Sequence, residues 1–286
     1  MNAMRRSMLW MIAFAALWAL VEAIAGGLRY PYSPYEAVWA RYGSHLAIML
    51  AIWGWRDPLV LVRTKRPVLQ IARSLLMLVM PASWIFALQR GLTPDTVLAI
   101  FGVAPLIICT LAVVLLKEHP TPGIWVSAGL VSAGAMFCLP LDARPSLLAV
   151  AAALISASSF SLYVVMTRML RGEDLRANLF YTALGVFVAL SLFVPTVWVT
   201  PTAHDAVVMV LIGAFGLLAL LALDRTAQMA PVSNGGAMVD TRLLVLVGSI
   251  VVGRHPNLHI AVGVATIAIG TMCALGLSRN QVASVQ

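Results

Sequence analysis

The chain of 286 residues is 61% apolar and only 10% charged, with a formal charge of +8, whereas soluble domains run near 45–50% apolar and 25% charged. Almost nothing is left over for a soluble domain, and the chain reads as an integral membrane protein. It carries no Walker-type phosphate loop, no His-Glu-x-x-His and no Gly-x-Ser-x-Gly, so ATP-driven pumping and hydrolysis have no chemistry to stand on, and no enzyme is expected.

A hydrocarbon core of about 30 Å needs about 20 apolar residues per helix. Windows of that length fall at 8–28, 34–55, 68–89, 94–116, 122–140, 146–169, 177–199, 205–225, 231–252 and 258–277. The expected fold is all-α, with ten transmembrane helices. The first window follows Arg5-Arg6 and ends near Ala25-Gly26-Gly27, which could pass for a secretory signal. Its apolar run is long for such a segment, so it is read as a membrane helix.

The second window opens at Pro34 and holds Arg41 and, one turn on, His45. The third contains Pro81 and Trp84, and the fourth Pro105. The sixth is rich in serine (Ser156, Ser158, Ser159, Ser161), whose hydroxyls are expected mainly on their own backbone carbonyls. The ninth carries Gly235-Gly236 and then Asp240 and Arg242. Pro81, Pro105, Gly235 and Gly236 are the expected helix breaks and hinges, because proline frees a carbonyl one turn back and a cavity or neighbour must satisfy it. Small residues at packing spacing, as in Ala128…Ser132 and Ala261…Ala265, predict close helix contact.

The chain also repeats itself. Glu118-His119-Pro120 followed by Gly134-Ala135-Met136 returns at one constant offset as Arg254-His255-Pro256 followed by Gly270-Thr271-Met272. With a one-residue slip, Ala87-Leu88-Gln89-Arg90 returns as Ala222-Leu223-Asp224-Arg225. Half the chain is therefore a unit, with boundaries expected at 1–141 and 142–286. Five helices per half is an odd number, so the second half enters the bilayer from the opposite side, and the expected architecture is two inverted five-helix repeats. The natural binding site of such a pair is their interface near the midplane, and the expected mechanism is alternating access.

Basic residues set the direction. With the N-terminus inside, the inner ends and loops hold Arg5, Arg6, Arg56, Arg63, Lys65, Arg66, Arg73, Lys117, Arg168, Arg171, Arg176, Arg225 and Arg279, against Arg29, Arg90, Arg144 and Arg254 outside. Both termini are expected in the cytoplasm. The positive charge is met by anionic lipid of the inner leaflet, with no nucleic acid as partner.

In order along the chain stand Trp18, then Pro34 and Glu36, then Arg41. Arg66-Pro67, Arg73-Ser74-Leu75-Leu76, Ala104-Pro105-Leu106 and Leu115-Leu116-Lys117-Glu118 follow. This series resembles the drug/metabolite transporter superfamily, EamA type. The resemblance implies a ten-helix carrier of the bacterial-type inner membrane for small metabolites such as S-adenosylmethionine, riboflavin or amino acids, without choosing among them. The second half departs from the family pattern: Gly253-Arg254 stands where an acid is usual, and Asp240-Thr241 lacks the proline. A receptor or assembly subunit that keeps the fold without transport is the alternative.

A charge at the centre of a spanning helix costs about 2.5–3.5 kcal/mol, so it normally faces a cavity or a partner. Glu22, Arg41, Asp240 and Arg242 qualify, in one band about 14–21 Å from the inner boundary at about 1.5 Å per residue. Asp240 and Arg242 are two apart on one helix and face different ways. The pairs Arg41 with Asp240 and Glu22 with Arg242 would satisfy all four. Two readings follow: a polar or zwitterionic substrate, or protons, opens these pairs, or they form a permanent network holding the halves together. His45, stacked on Arg41, is the candidate proton relay, with a hydrogen-bonded structural histidine as the other reading. Trp18, four before Glu22, and Trp84 are expected to line the cavity; Trp39, Tyr42 and Tyr163 are further aromatic candidates. Cys109, Cys138 and Cys273 stand singly, so neither a metal nor a cofactor is expected. A chain of two complete halves can act as a monomer or a homodimer.

Overall fold

A computed structural model describes residues 3–29, 32–139, 146–235 and 257–283. Among them there are helices and turns and no strand. The elements are α1 (Ala3–Ala25), α2 (Pro34–Met49, prolonged by a π turn over Leu50–Gly54), α3 (Leu59–Val62), α4 (Pro67–Gln89), α5 (Pro94–Phe101) and α6 (Ala104–Leu116). Then come α7 (Pro122–Phe137), α8 (Leu147–Met169), α9 (Leu175–Ser191), α10 (Ala203–Met229), α11 (Val232–Gly235) and α12 (Leu258–Ala283).

Among the described residues, six helices or helix pairs are long and apolar enough to cross a bilayer: Met4–Ala25, Pro67–Gln89, Pro94–Leu116, Leu147–Met169, Ala203–Met229 and Leu258–Gly276. The expected count of ten is therefore met only in part. The fifth and seventh windows appear as the shorter apolar helices Pro122–Phe137 and Leu175–Ser191. The second, with Glu36 and Arg41 inside it, is an α-helix of 16 residues before its π turn. Beyond α11, the ninth window lies outside the described residues, and with it Gly236, Asp240, Arg242 and Arg254.

Local sequence sets the helix limits. Proline stands in the first turn of α2, α4, α5, α6 and α7, where its fixed φ fits and its missing N–H is not needed. Thr93, Ser146, Asp174 and Thr202 cap the starts of α5, α8, α9 and α10 with side-chain oxygens. Lys117 ends α6 in the left-handed conformation. The outside of the bundle is apolar, with Leu9, Val68, Leu147 and Met272 among the exposed side chains, as lipid contact requires.

The chain thus has two ends. Call near the end where α1 starts; α4, α7, α9 and α11 also start there, and α6, α8 and α10 finish there. At the far end α1, α4, α7 and α9 finish, and α2, α5, α8 and α10 begin. The principal packing pairs are α1 with α10, α7 with α12, and α4 with α8, followed by α2 with α10, α4 with α9 and α2 with α9. Exchanging α1 for α8, α2 for α9, α4 for α10 and α7 for α12 turns these six pairs into themselves; α6, which packs on α8 as extensively as α2 does on α9, stands outside this exchange.

The repeated glycines of the sequence, Gly134 and Gly270, both lie in the contact of α7 with α12. A Cβ on Gly134 would fall 2.5 Å from the Gly263 carbonyl oxygen, so these helices touch backbone to backbone. Ser127 donates to the Gly270 carbonyl at 2.6 Å. Pro81 sits within an unbroken α4, whereas the fourth span is cut at Gly102-Val103, immediately before Ala104-Pro105. The serines of α8 reach outward more than expected: Ser156 donates to the Met80 carbonyl and Ser161 to that of Ala104 as well as to its own helix at Ala157.

Candidate functional site

A cavity of about 320 Å³ opens at the far end between α1, α2, α4 and the broken α5–α6 segment. Its mouth carries the exposed Glu22, Pro34, Pro94 and Asp95, and its floor the buried Phe14, Met80, Ala104, Pro105 and Phe160. Trp18, Trp84 and Phe101 form aromatic walls, with Trp84 edge-on to Phe101 at 5.9 Å and Phe101 against Phe160 at 5.4 Å. The broken span contributes Phe101, Gly102, Ala104 and Pro105 directly to the lining.

Arg41 is the cation of this cavity. Its guanidinium carbon lies 4.8 Å from the centre of the Trp18 ring, a cation–π seat. Its Nε and one Nη are buried without a hydrogen-bond partner, and no carboxylate among the described residues forms an ion pair with it. Gly216 of α10 makes room for it: a Cβ there would lie 3.0 Å from Arg41 Nε and 3.0 Å from His45 Nε2. His45 is buried beneath Arg41, 5.0 Å from the Tyr42 ring centre, and neither of its ring nitrogens has a hydrogen-bond partner among the described residues.

Of the residues singled out in the sequence, Trp18, Glu22, Arg41, Pro81, Trp84 and Pro105 line this one cavity. His45 lies behind its wall. Gly235 is elsewhere, at the end of α11 against Met11. Asp240, Arg242 and Gly236 lie outside the described residues, so the pairs expected of the first two do too. Trp39, Tyr42 and Tyr163 do not line the cavity. Trp39 stacks on Phe187 and donates to Ser191, and Tyr42 and Tyr163 are buried in the core.

A second polar cluster, which the sequence reading passed over, closes the near end. Arg73 of α4 and Asp224 of α10 are 0% and 1% exposed and lie 3.5 Å apart. Arg73 also donates to Thr167 Oγ1 and Thr182 Oγ1, each at 3.0 Å, and to the Asn178 carbonyl, and it lies over the Tyr163 ring. Asn178 donates to Asp224 Oδ1 at 3.0 Å and accepts from Gln70 at 2.6 Å. Around this cluster, Glu118 accepts from the backbone of Val232 and Ser233 and pairs with Arg168. Arg168 in turn donates to the Ala227 and Gln228 carbonyls. Glu173 accepts from Thr64 and Lys65. The sequence signal available was the Arg73-Ser74 run and the repeat position of Asp224; closeness to helix ends hid both as interface charges.

Among the described residues, no group of three or more His, Cys, Asp or Glu could hold a metal ion.

Residues 5–139 match the model of the EamA-like transporter family. A solved structure described only as a crystal structure of a protein is similar over 96% of this chain and 98% of its own, at 22% identity and a TM-score of 0.77, which speaks for a shared fold. None of the curated proteins compared with the chain matches it.

Proposed function

We propose, from the match of residues 5–139 to the EamA-like transporter family, a secondary carrier that takes a small polar or zwitterionic metabolite into the cavity and moves it by alternating access. One observation carries this reading: the cavity is open at the far end, holds a buried guanidinium, and is closed beneath by a polar network. Arg41 on Trp18 is suited to an anionic group, the mouth carboxylates Glu22 and Asp95 to a cationic one, and the aromatic walls to an apolar part of the ligand.

Two inverted five-helix halves at 1–141 and 142–286 are supported by the packing pairs, which map onto themselves when the halves are exchanged. The excess of arginine and lysine at the near end supports a cytoplasmic position for it and for both termini, so the cavity faces outward across a bacterial-type inner membrane. The turn before Pro105, and Pro81 within the continuous α4, are the hinges of this scheme. Protons are the candidate coupling ion, and a single chain forms the whole path.

The test is a thermal-shift screen of the detergent-purified protein against amino acids, nucleosides, sulfonium compounds, vitamins and polyamines, followed by counterflow in vesicles. A stabilising ligand that is exchanged by vesicles, with both effects lost in Arg41→Gln, is the expected result. Stabilisation unchanged in Arg41→Gln would move the site elsewhere. No ligand and a stoichiometric co-purifying protein would speak for an assembly subunit instead.

A further inference from the structure

The cavity does not end at its floor in the sense that matters for transport. On α8, Phe160 forms the floor, Tyr163 lies under Arg73 and Thr167 accepts from Arg73. On α4, Trp84 and Met80 line the cavity, and Met77, Arg73 and Gln70 continue below as buried residues. Spacings of three and four keep each series on one helix face. The Arg73–Asp224 network therefore lies on the continuation of the cavity, about 10 Å below its floor along α8.

The network is also built across the two halves. Arg73 and Gln70 come from α4, while Tyr163, Thr167, Asn178, Thr182 and Asp224 come from α8, α9 and α10. For the near end to open, α4 must part from these helices, and each of those bonds crosses the seam.

Its bonding is unequal. Arg73 has three neutral acceptors besides Asp224, so its guanidinium keeps its seat if the carboxylate loses its charge. Asp224 has only Asn178 on Oδ1 and Arg73 at 3.5 Å on Oδ2, longer than the 2.7–2.9 Å usual for a charge-assisted bond. A carboxylate in a dry core held this loosely is the member that can change state. The charged and titratable groups facing it are Arg73 from α4, Tyr163 from α8 and its own neighbour Arg225; α9 presents the neutral Asn178.

We propose that Asp224 is a proton-binding site and that the Arg73–Asp224 pair is the latch of the near end, released when Asp224 takes up a proton. This rests on the carrier reading above and adds its coupling residue. The proton comes from water at the near end, where α10 finishes five residues beyond Asp224, and forms an O–H at Oδ2. The positive charge of Arg73 stays on its neutral acceptors, and the attraction across the seam falls.

The experiment needs no substrate, so it can fail while the carrier reading stands. Spin labels at Val68→Cys, which is 80% exposed, and Gly172→Cys, where a side chain meets open space, span the near end in a chain whose native cysteines are replaced. Distances are measured in nanodiscs near pH 5.5 and near pH 8.5, on either side of histidine and above free carboxylate titration. The expected result is a longer-distance population that grows about threefold or more at the lower pH. It should be present at both pH values in Asp224→Asn and pH-dependent again in Asp224→Glu. An unchanged distribution in the unsubstituted protein, or a pH response that survives in Asp224→Asn, would overturn the proposal. Should Asp224→Asn fail to fold, the Asp224→Glu protein and the unsubstituted one still decide, because a latch at this carboxylate requires both to respond.

Discussion

Single side chains decide what this bundle can hold, and two of them are worth weighing by their neighbours. Buried ion pairs contribute little net stability over a well-packed apolar pair, yet removing one partner costs about 3–5 kcal/mol because the other charge is stranded. Arg73→Met is therefore expected to lower the unfolding free energy in detergent by an amount of that order, and Arg73→Met with Asp224→Leu to recover most of it. Equal losses in the single and double variants would show that packing, not charge, matters at this place. Gly216 is a different case. A methyl there meets Arg41 Nε and His45 Nε2 at 3.0 Å, so Gly216→Ala should push the guanidinium along the Trp18 face and weaken ligand stabilisation by roughly 1 kcal/mol, with the ligand-free melting temperature nearly unchanged. Full ligand stabilisation in this variant would mean that the position of Arg41 is not critical. That Trp18, Glu22, Arg41 and Trp84 would share one cavity was legible in the sequence, but Glu22, expected as a central buried charge, stands exposed at the mouth, three residues from the end of α1. Arg73 and Asp224 were not legible, since depth along a helix does not reveal whether a near-end residue faces headgroups or a neighbouring helix. Gly216 was invisible for a related reason: a glycine shows only that space is needed, and its beneficiary lies on another helix.

At the level of helices, two kinds of joint coexist. The contact of α7 with α12 is a fixed joint, closed by Gly134 against the Gly263 backbone and by the Ser127 to Gly270 hydrogen bond. Gly134→Ala must force two backbones apart and should cost about 1–3 kcal/mol, read as a lower unfolding midpoint. Gly129→Ala, on the same helix with nothing within 4 Å, is the control and should leave the midpoint in place. If the two variants behave alike, the joint is looser than described. The break between α5 and α6 is the opposite kind of joint. Glycine ends one helix and proline opens the next, the turn between them is held by short bonds such as Val103 N–H to the Ile100 carbonyl, and Gly102 faces the cavity. The echo of Gly134-Ala135-Met136 in Gly270-Thr271-Met272 located the fixed joint in sequence, since both glycines serve one interface from opposite sides. A helix break was expected at Pro105; it lies just ahead of it, in the turn at Gly102-Val103.

For the whole molecule, the sidedness of the cavity is the central matter. In the proposed scheme of ten crossings both chain ends lie on one side, and the excess of arginine and lysine at that end favours the cytoplasm for it. A reporter that fluoresces only in the cytoplasm, fused after Gln286, should be bright, and one that acts only outside, fused at the same place, should be silent; the reverse pattern would turn the cavity to face inward. Ten crossings were expected from the apolar windows; among the described residues six spans of full length and two shorter apolar helices stand for them, and helix length was not readable. The helix Pro122–Phe137 has 16 residues, about 24 Å at 1.5 Å per residue, while the hydrocarbon slab is about 30 Å thick. Its exposed Val126, Met136 and Phe137 place that short helix against lipid. Thinning of the surrounding bilayer by up to about 6 Å along this edge, or flanking side chains that reach up to the headgroups, would meet that mismatch, so lipids with shorter tails are the expected neighbours on that flank.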